Sequence, residues 1–149
     1  MLKINSTSSD QTEQLGEQLG KRLQGGEVIE LVSDLGGGKT TLVRGLARGM
    51  GSTDRVASPT FTISKIYKAS RLELHHFDFY RLSEAGLIEH ELADFLGDPS
   101  IVVVVEWGGV VNHILPAKRL TISLKLSGEN SRQIVLNYPK SLDYLMENL

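Results

Sequence analysis

Residues 27–51, "EVIELVSDLGGGKTTLVRGLARGMG", constrain this chain more than any other stretch. A short, mostly aliphatic run (27–32) has the composition of a buried strand. Three successive glycines, Gly36, Gly37 and Gly38, follow it. Glycine takes φ > 0 without steric cost, so the run licenses a loop whose backbone N–H groups curl around an anion. Leu42, Leu46 and Met50 then keep a helical spacing, although Gly45 and Gly49 weaken that helix somewhat. A strand, an amide-lined loop and a helix N-terminus in succession make a phosphate cradle. Gly38-Lys39-Thr40 matches the end of the pattern G-x-x-x-x-G-K-[ST], in which the lysine reaches the β- and γ-phosphates and the hydroxyl ligates Mg²⁺. Ser33 stands where that pattern asks for its first glycine. Serine is small, so it reshapes the exit from the strand without removing a ligand. A bare G-K-[ST] arises by chance in about one such chain in ten. The flanking strand and helix therefore carry the inference.

A chain of 149 residues is the usual size of one domain with one core, and no Pro/Gly/Ser linker divides it. We expect a single domain over residues 1–149. The net charge of −2 offers no global attraction to DNA, RNA or an anionic membrane. Contact with RNA would have to be local or made through a partner. There is no cysteine, which excludes disulfide scaffolds, thiolate zinc sites and cysteine nucleophiles. The first residues, "MLKINSTSSDQTEQ", lack the apolar stretch of a secretory signal, and the longest aliphatic run, residues 101–105, is too short to cross a bilayer. A cytoplasmic location is expected.

The remaining pattern alternates strands and helices. "SSDQTEQLGEQLGKRLQGGE" reads as a helix capped by Ser9 or Asp10, with Leu15, Leu19 and Leu23 on one face and Gly25-Gly26 as its stop. Residues 61–67 and 71–80 alternate as strands do, and 82–97 read as helix. "IVVVVEW", residues 101–107, is aliphatic on both faces, as a central parallel strand requires. Residues 119–138 read as two alternating strands around a Gly-Glu-Asn turn, and "SLDYLMENL" as a terminal helix. The expected architecture is an α/β three-layer sandwich of the P-loop NTPase kind, with a mostly parallel central sheet and antiparallel edge strands.

A nucleotide site of this kind needs a carboxylate at the end of a central strand to hold its metal. Glu106 stands there, directly after five aliphatic residues, where burial is expensive unless the charge is paired or metal-bound. The plainer reading is a surface glutamate that starts a loop. Asp78 in "HHFDFYRL" is a second candidate; the plainer reading is an ordinary capping aspartate, or one in a salt bridge with Arg81. His75, His76, His90 and His113 show no metal-ligand spacing with acidic partners and read as surface or partly buried structural residues.

"SDLGGGKTTLVRGLARGMG", "SPTFT" (58–62), "HHFDFYRL" (75–82) and "VEWGG" (105–109) occur in the order, and at about the spacing, of the bacterial TsaE family, also called YjeE. This sequence resembles that family over most of its length. The resemblance implies a small ATPase needed for threonylcarbamoyladenosine formation at position 37 of tRNAs reading codons that begin with A. It implies ATP and Mg²⁺ as cofactors. Leu35, Gly36, Gly37, Gly38, Lys39, Thr40 and Thr41 would line the phosphates, with Lys39 on the β/γ oxygens. Thr40 and Glu106 would form the magnesium site. Thr60 or Thr62 would sense the γ-phosphate in a first switch, and Asp78 would be the carboxylate of a second. Ser9 to Thr12 and the turn ending at Arg132 lie where the family closes over the base. Trp107 would pack near the nucleotide. The implied partner is the TsaD–TsaB complex, which the family is thought to reset, with tRNA engaged only indirectly. Three departures stand out: Ser33 for glycine, Gly37 for the usual alanine, and no proline after Trp107.

Two other readings compete. A small-molecule kinase would need an acceptor pocket and an arginine-bearing lid, and no obvious lid segment is present, although Arg55, Arg71 and Arg81 are unplaced. A nucleotide-binding adaptor that hydrolyses nothing would share the same motifs. A GTP-dependent switch would need N-K-x-D, which does not occur.

Overall fold

The aliphatic runs assemble into one seven-stranded sheet, flanked by helices that their glycines allow to pack closely. The computed structural model describes residues 1–34, 36–59, 63–84 and 86–149. Leu35, Thr60 and Thr62, three of the expected site residues, lie outside the described residues. In chain order the elements are β1 (Leu2–Ser6), α1 (Ser9–Gly20), β2 (Val28–Val32), α2 (Lys39–Gly49), β3 (Ser64–Lys68), β4 (Glu73–Asp78), α3 (Ile88–Phe95), β5 (Ile101–Glu106), β6 (Leu120–Leu126) and β7 (Arg132–Asn137). Short 3₁₀ helices span Gly108–Val111 and Lys140–Met146.

The strand order is β1-β7-β6-β2-β5-β4-β3. The centre is parallel, since β2 pairs with both β5 and β6, and β4 with β5. The flanks are antiparallel: β3 on β4, β6 on β7, and β1 on β7. The α/β sheet with a parallel centre and antiparallel edges is therefore observed. Alternation in β2 and β5 splits the core in two. Ile29, Leu31, Val102 and Val104 face α1 and α2, while Val28, Val103 and Val105 face Leu92 of α3 and Val111. The third layer covers the β2–β5–β4 half. On that face the β6–β7 half is lined by Thr121, Ser123, Lys125 and Gln133, and stays open to solvent.

Helices α1 and α2 meet glycine on glycine. A β-carbon on Gly16 would overlap the Leu42 carbonyl oxygen, one on Gly20 that of Leu46, one on Gly45 that of Glu13, and one on Gly49 that of Glu17. Gly45 and Gly49, expected only to weaken the helix, are thus what lets the two backbones touch. Arg48 ties the outer edge of the seam by bonding Glu13 and Glu17. This contact brings the N-terminus of α1 beside that of α2, at the C-terminal ends of the parallel strands.

Some boundaries differ from expectation. The α1 cap is Ser8, whose side chain accepts from the Gln11 N–H, rather than Ser9 or Asp10. The capping hydroxyl must come from the last extended residue, and Ser8 is the one at φ −153°. Residues 2–6 form an edge strand because β7 offers it a partner, which no local pattern announces. Helix α3 begins only at Ile88, after Gly86 at φ 56°. The terminal segment closes as 3₁₀ helix, with the Tyr144 hydroxyl donating to buried Glu27 at 2.7 Å. No helix among the described residues is long and apolar enough to cross a membrane.

Candidate functional site

The loop after β2 turns in on itself through Gly36 at φ 75° and Gly38 at φ 99°, conformations that a side chain would strain. Gly37 serves differently. A β-carbon there would overlap the Ser33 hydroxyl and crowd the Ser33 β-carbon at 2.9 Å. The Ser33 hydroxyl donates to the Asp34 carbonyl at 2.9 Å, and the Gly37 N–H reaches the same carbonyl at 3.2 Å. Ser33 and Gly37, two of the departures noted above, are one spatial exchange: the side chain absent at 37 is replaced by the one present at 33.

Lys39 opens α2 and is buried, its Nζ donating to the Ser33 carbonyl at 3.0 Å. It also lies 4.9 Å from the ring centroid of Trp107, which in turn contacts Tyr80. Trp107 adopts φ 55°, an uncommon strained conformation for so bulky a residue. That kink carries the chain away from β5 directly after Glu106, so the carboxylate stays at the strand end.

Glu106 and Asp78 are register partners on adjacent parallel strands. Both are buried, at 3% and 7% exposure. Asp78 Oδ1 accepts from the Tyr80 N–H at 2.9 Å. Burial pushes the Asp78 carboxyl above its usual value; the Tyr80 N–H opposes that rise, Glu106 adds to it, and His76 and Lys39 oppose it. The surface reading of Glu106 does not hold, since it is buried; Asp78 does cap the turn at Tyr80, and does so from inside a cleft.

That cleft, of about 330 Å³, is lined by Gly36 to Thr41, Ser58, Asp78, Glu106, Trp107 and Arg132. A second cleft of about 320 Å³ shares Gly38, Thr41 and Arg132 with it and extends to Thr7, Ser8, Ser9, Thr12 and Asn130. Arg132, at the start of β7, bonds the Gly37 carbonyl at 3.2 Å and so stands between the two. The structure thus brings together every described candidate: Ser9, Gly36, Gly37, Gly38, Lys39, Thr40, Thr41, Asp78, Glu106 and Arg132.

The histidines are where sequence reasoning falls short. His75 and His76 are buried, and each meets a carboxylate: His75 Nε2 lies 2.9 Å from Glu73 Oε2, and His76 Nε2 lies 3.0 Å from Glu106 Oε1. The partner of His76 is thirty residues away in sequence and adjacent only through β4–β5 pairing. No other hydrogen bond reaches the Glu106 carboxylate among the described residues, so its Oε2 is unengaged. His76 Nδ1 is buried without a partner, a defect of about 1–3 kcal/mol.

Among the described residues no group of three or more His, Asp or Glu side chains makes a self-sufficient metal cage. Mg²⁺ does not need one, since it is usually held by one or two carboxylates together with phosphate oxygens. Two neighbouring buried carboxylates, one with an unengaged oxygen, and the Thr40 hydroxyl nearby suit that mode of binding.

Comparison with known proteins gives the family and supports the fold. Residues 6–134 match the family model described as "Threonylcarbamoyl adenosine biosynthesis protein TsaE". The chain is 37% identical to the tRNA threonylcarbamoyladenosine biosynthesis protein TsaE of Bacillus subtilis, over 89% of this chain and 83% of that one. It is equally similar, at 37% identity, to the protein of that name in Treponema pallidum, over 91% and 99%. The fold superposes on the crystal structure of Bacillus subtilis YdiB with a TM-score of 0.79 and 34% identity, covering 98% of this chain and 91% of that one. With its family model spanning most of the sequence, and close relatives matched nearly end to end, this chain belongs to the TsaE family.

Proposed function

We propose that this protein binds ATP as its magnesium complex and hydrolyses it in the service of tRNA threonylcarbamoyladenosine formation, acting on a TsaD–TsaB complex in the cytoplasm. One observation carries the chemistry. Lys39, Asp78 and Glu106 converge with the loop amides on one cleft of about 330 Å³. The names of the relatives in Bacillus subtilis and Treponema pallidum support the pathway.

The roles follow from charge and reach. The Gly36 to Thr41 amides and the N-terminus of α2 receive the phosphates. Lys39 has three N–H donors and directs two of them to the Ser33 and Asp34 carbonyls, at 3.0 and 3.5 Å, which holds the ammonium against the loop with its third for a phosphate. Arg132 adds a second positive charge between the phosphate cleft and the one beside Ser9 and Asn130, where the base is accommodated. Thr40 and Glu106 would hold Mg²⁺, which would supply neutralisation of the charge on the phosphates. Asp78, with its elevated proton affinity, is placed to orient the attacking water. Phosphoryl transfer depends mainly on such positioning, so a lone domain with few catalytic groups turns over slowly until a partner completes the site. The chain's net charge of −2 favours indirect engagement of tRNA through that partner.

The test is phosphate release from Mg·ATP by the protein alone, with the TsaD–TsaB pair, and with Lys39→Ala in each condition. Partner-dependent release that falls at least about a hundredfold in the variant is expected, as for loss of one charged transition-state contact. No release from the wild type beside active partners would overturn the ATPase reading in favour of a non-hydrolysing adaptor.

A further inference from the structure

We propose that His76 is the positioning residue of the cation site, fixing Glu106 so that its Oε2 faces the nucleotide cleft. The inference rests on reading that cleft as a magnesium–nucleotide site. A carboxylate only accepts hydrogen bonds, so the bond at 3.0 Å puts the proton on His76 Nε2 and engages Glu106 Oε1. Oε2 is left as the atom free for a ligand.

The surroundings argue against a mere core filler. His76 is fully buried and sits opposite Val104 in the β4–β5 ladder, with Leu74 two residues before it on the same face. A branched aliphatic side chain would suit that position, and would avoid the unpartnered Nδ1. His75 beside it also leaves its Nδ1 unpartnered, so the orphan atom by itself marks nothing; what sets His76 apart is where its side-chain bond goes. The single bond that His76 makes goes to the candidate metal ligand. Strand β4 therefore supplies two things on one face, two residues apart: the orienting donor at 76 and the second carboxylate at 78. Without the donor, Glu106 would have to fix its own rotamer beside Asp78, whose charge repels it.

The experiment compares His76→Leu, His76→Met and His76→Gln in the full chain. The first two remove the donor, and methionine adapts where leucine fits poorly. The glutamine Nε2 reaches about as far as the histidine Nε2 and keeps it. Binding of fluorescent ADP is measured in EDTA and across a Mg²⁺ titration, alongside thermal unfolding of the unliganded protein. The donor-free variants are expected to bind nucleotide normally in EDTA and to unfold somewhat below the wild-type temperature, since buried Glu106 Oε1 loses its donor. Their Mg²⁺ midpoint should rise about 10- to 100-fold, the usual effect of removing a group that orients a metal ligand. His76→Gln should stay within about threefold of wild type. A donor-free variant with an unshifted Mg²⁺ midpoint, equal losses with and without Mg²⁺, or a glutamine variant as impaired as the leucine one would each overturn the proposal. Wild-type protein that binds no nucleotide, or binds it without regard to Mg²⁺, would instead overturn the site reading beneath it.

Discussion

At position 37 the missing side chain and the added one at 33 occupy the same space, and this makes two substitutions one design. The hydroxyl of Ser33 also donates to the Asp34 carbonyl that receives the Gly37 N–H, so the exchange keeps the loop's internal bonding. Alanine at 37 alone should force the loop open, an overpacking of about 1–3 kcal/mol, and weaken Mg·ADP binding by roughly 5- to 150-fold. Alanine at 37 with glycine at 33 should return affinity to within about threefold of wild type. Isothermal titration of the two single variants and the double variant reads the coupling directly. A neutral Gly37→Ala, or a double variant no better than the single, would show the positions to be independent. Both residues are visible in the sequence as departures from a motif. What the sequence hides is that they touch, because the loop's curl, and not their spacing, brings them together.

At the scale of elements, the glycine-on-glycine seam between α1 and α2 decides where the site stands. Helix propensity by itself says that Gly45→Ala should stabilise by about 1 kcal/mol. The close approach to the Glu13 carbonyl says the reverse, a loss of about 1–3 kcal/mol as the helices are pushed apart. For a chain near this length that corresponds to roughly 2–4 °C per kcal/mol in melting temperature. Gly109→Ala, with open space around it, is the control. A Gly45→Ala protein more stable than wild type would dismiss the seam. The sequence shows glycines four apart in both helices, yet it cannot show which helix lies on which. The strongly patterned elements, β2, α2 and β5, were legible because their composition alone buries them. Strand β1 was not, since an edge strand needs only a partner. The helix read from 82–97 came out short, because Gly86 turns left-handed before it. His76 reads as merely structural for a related reason: its carboxylate partner arrives through sheet register, thirty residues on.

Across the whole molecule, the parallel centre of the sheet brings the ends of β2, β4 and β5 to one edge, the usual place for a ligand crevice in such folds. Gathering Glu106 and Asp78 there sets stability against function. The Asp78 carboxyl has its proton affinity raised in the fold, chiefly by burial and further by Glu106. The folded state therefore holds that proton more tightly than the unfolded chain, whose value lies near 3.8. Stability from this group is full below that value and is lost as pH rises through the folded value, with no further change above it. Asp78→Asn keeps an acceptor for the Tyr80 N–H and removes the charge, so it should unfold at higher urea than wild type at pH 7. The gap should shrink as pH is lowered toward about 4. Adding Mg·ADP at a hundred times its dissociation constant stabilises a binder by about 2.7 kcal/mol, and wild type should gain this while the variant gains less. Urea midpoints at several pH values, with and without Mg·ADP, read both effects together. A variant less stable than wild type at pH 7, or a gap that ignores pH, would mean that the carboxylate pair carries no strain for a cation to relieve.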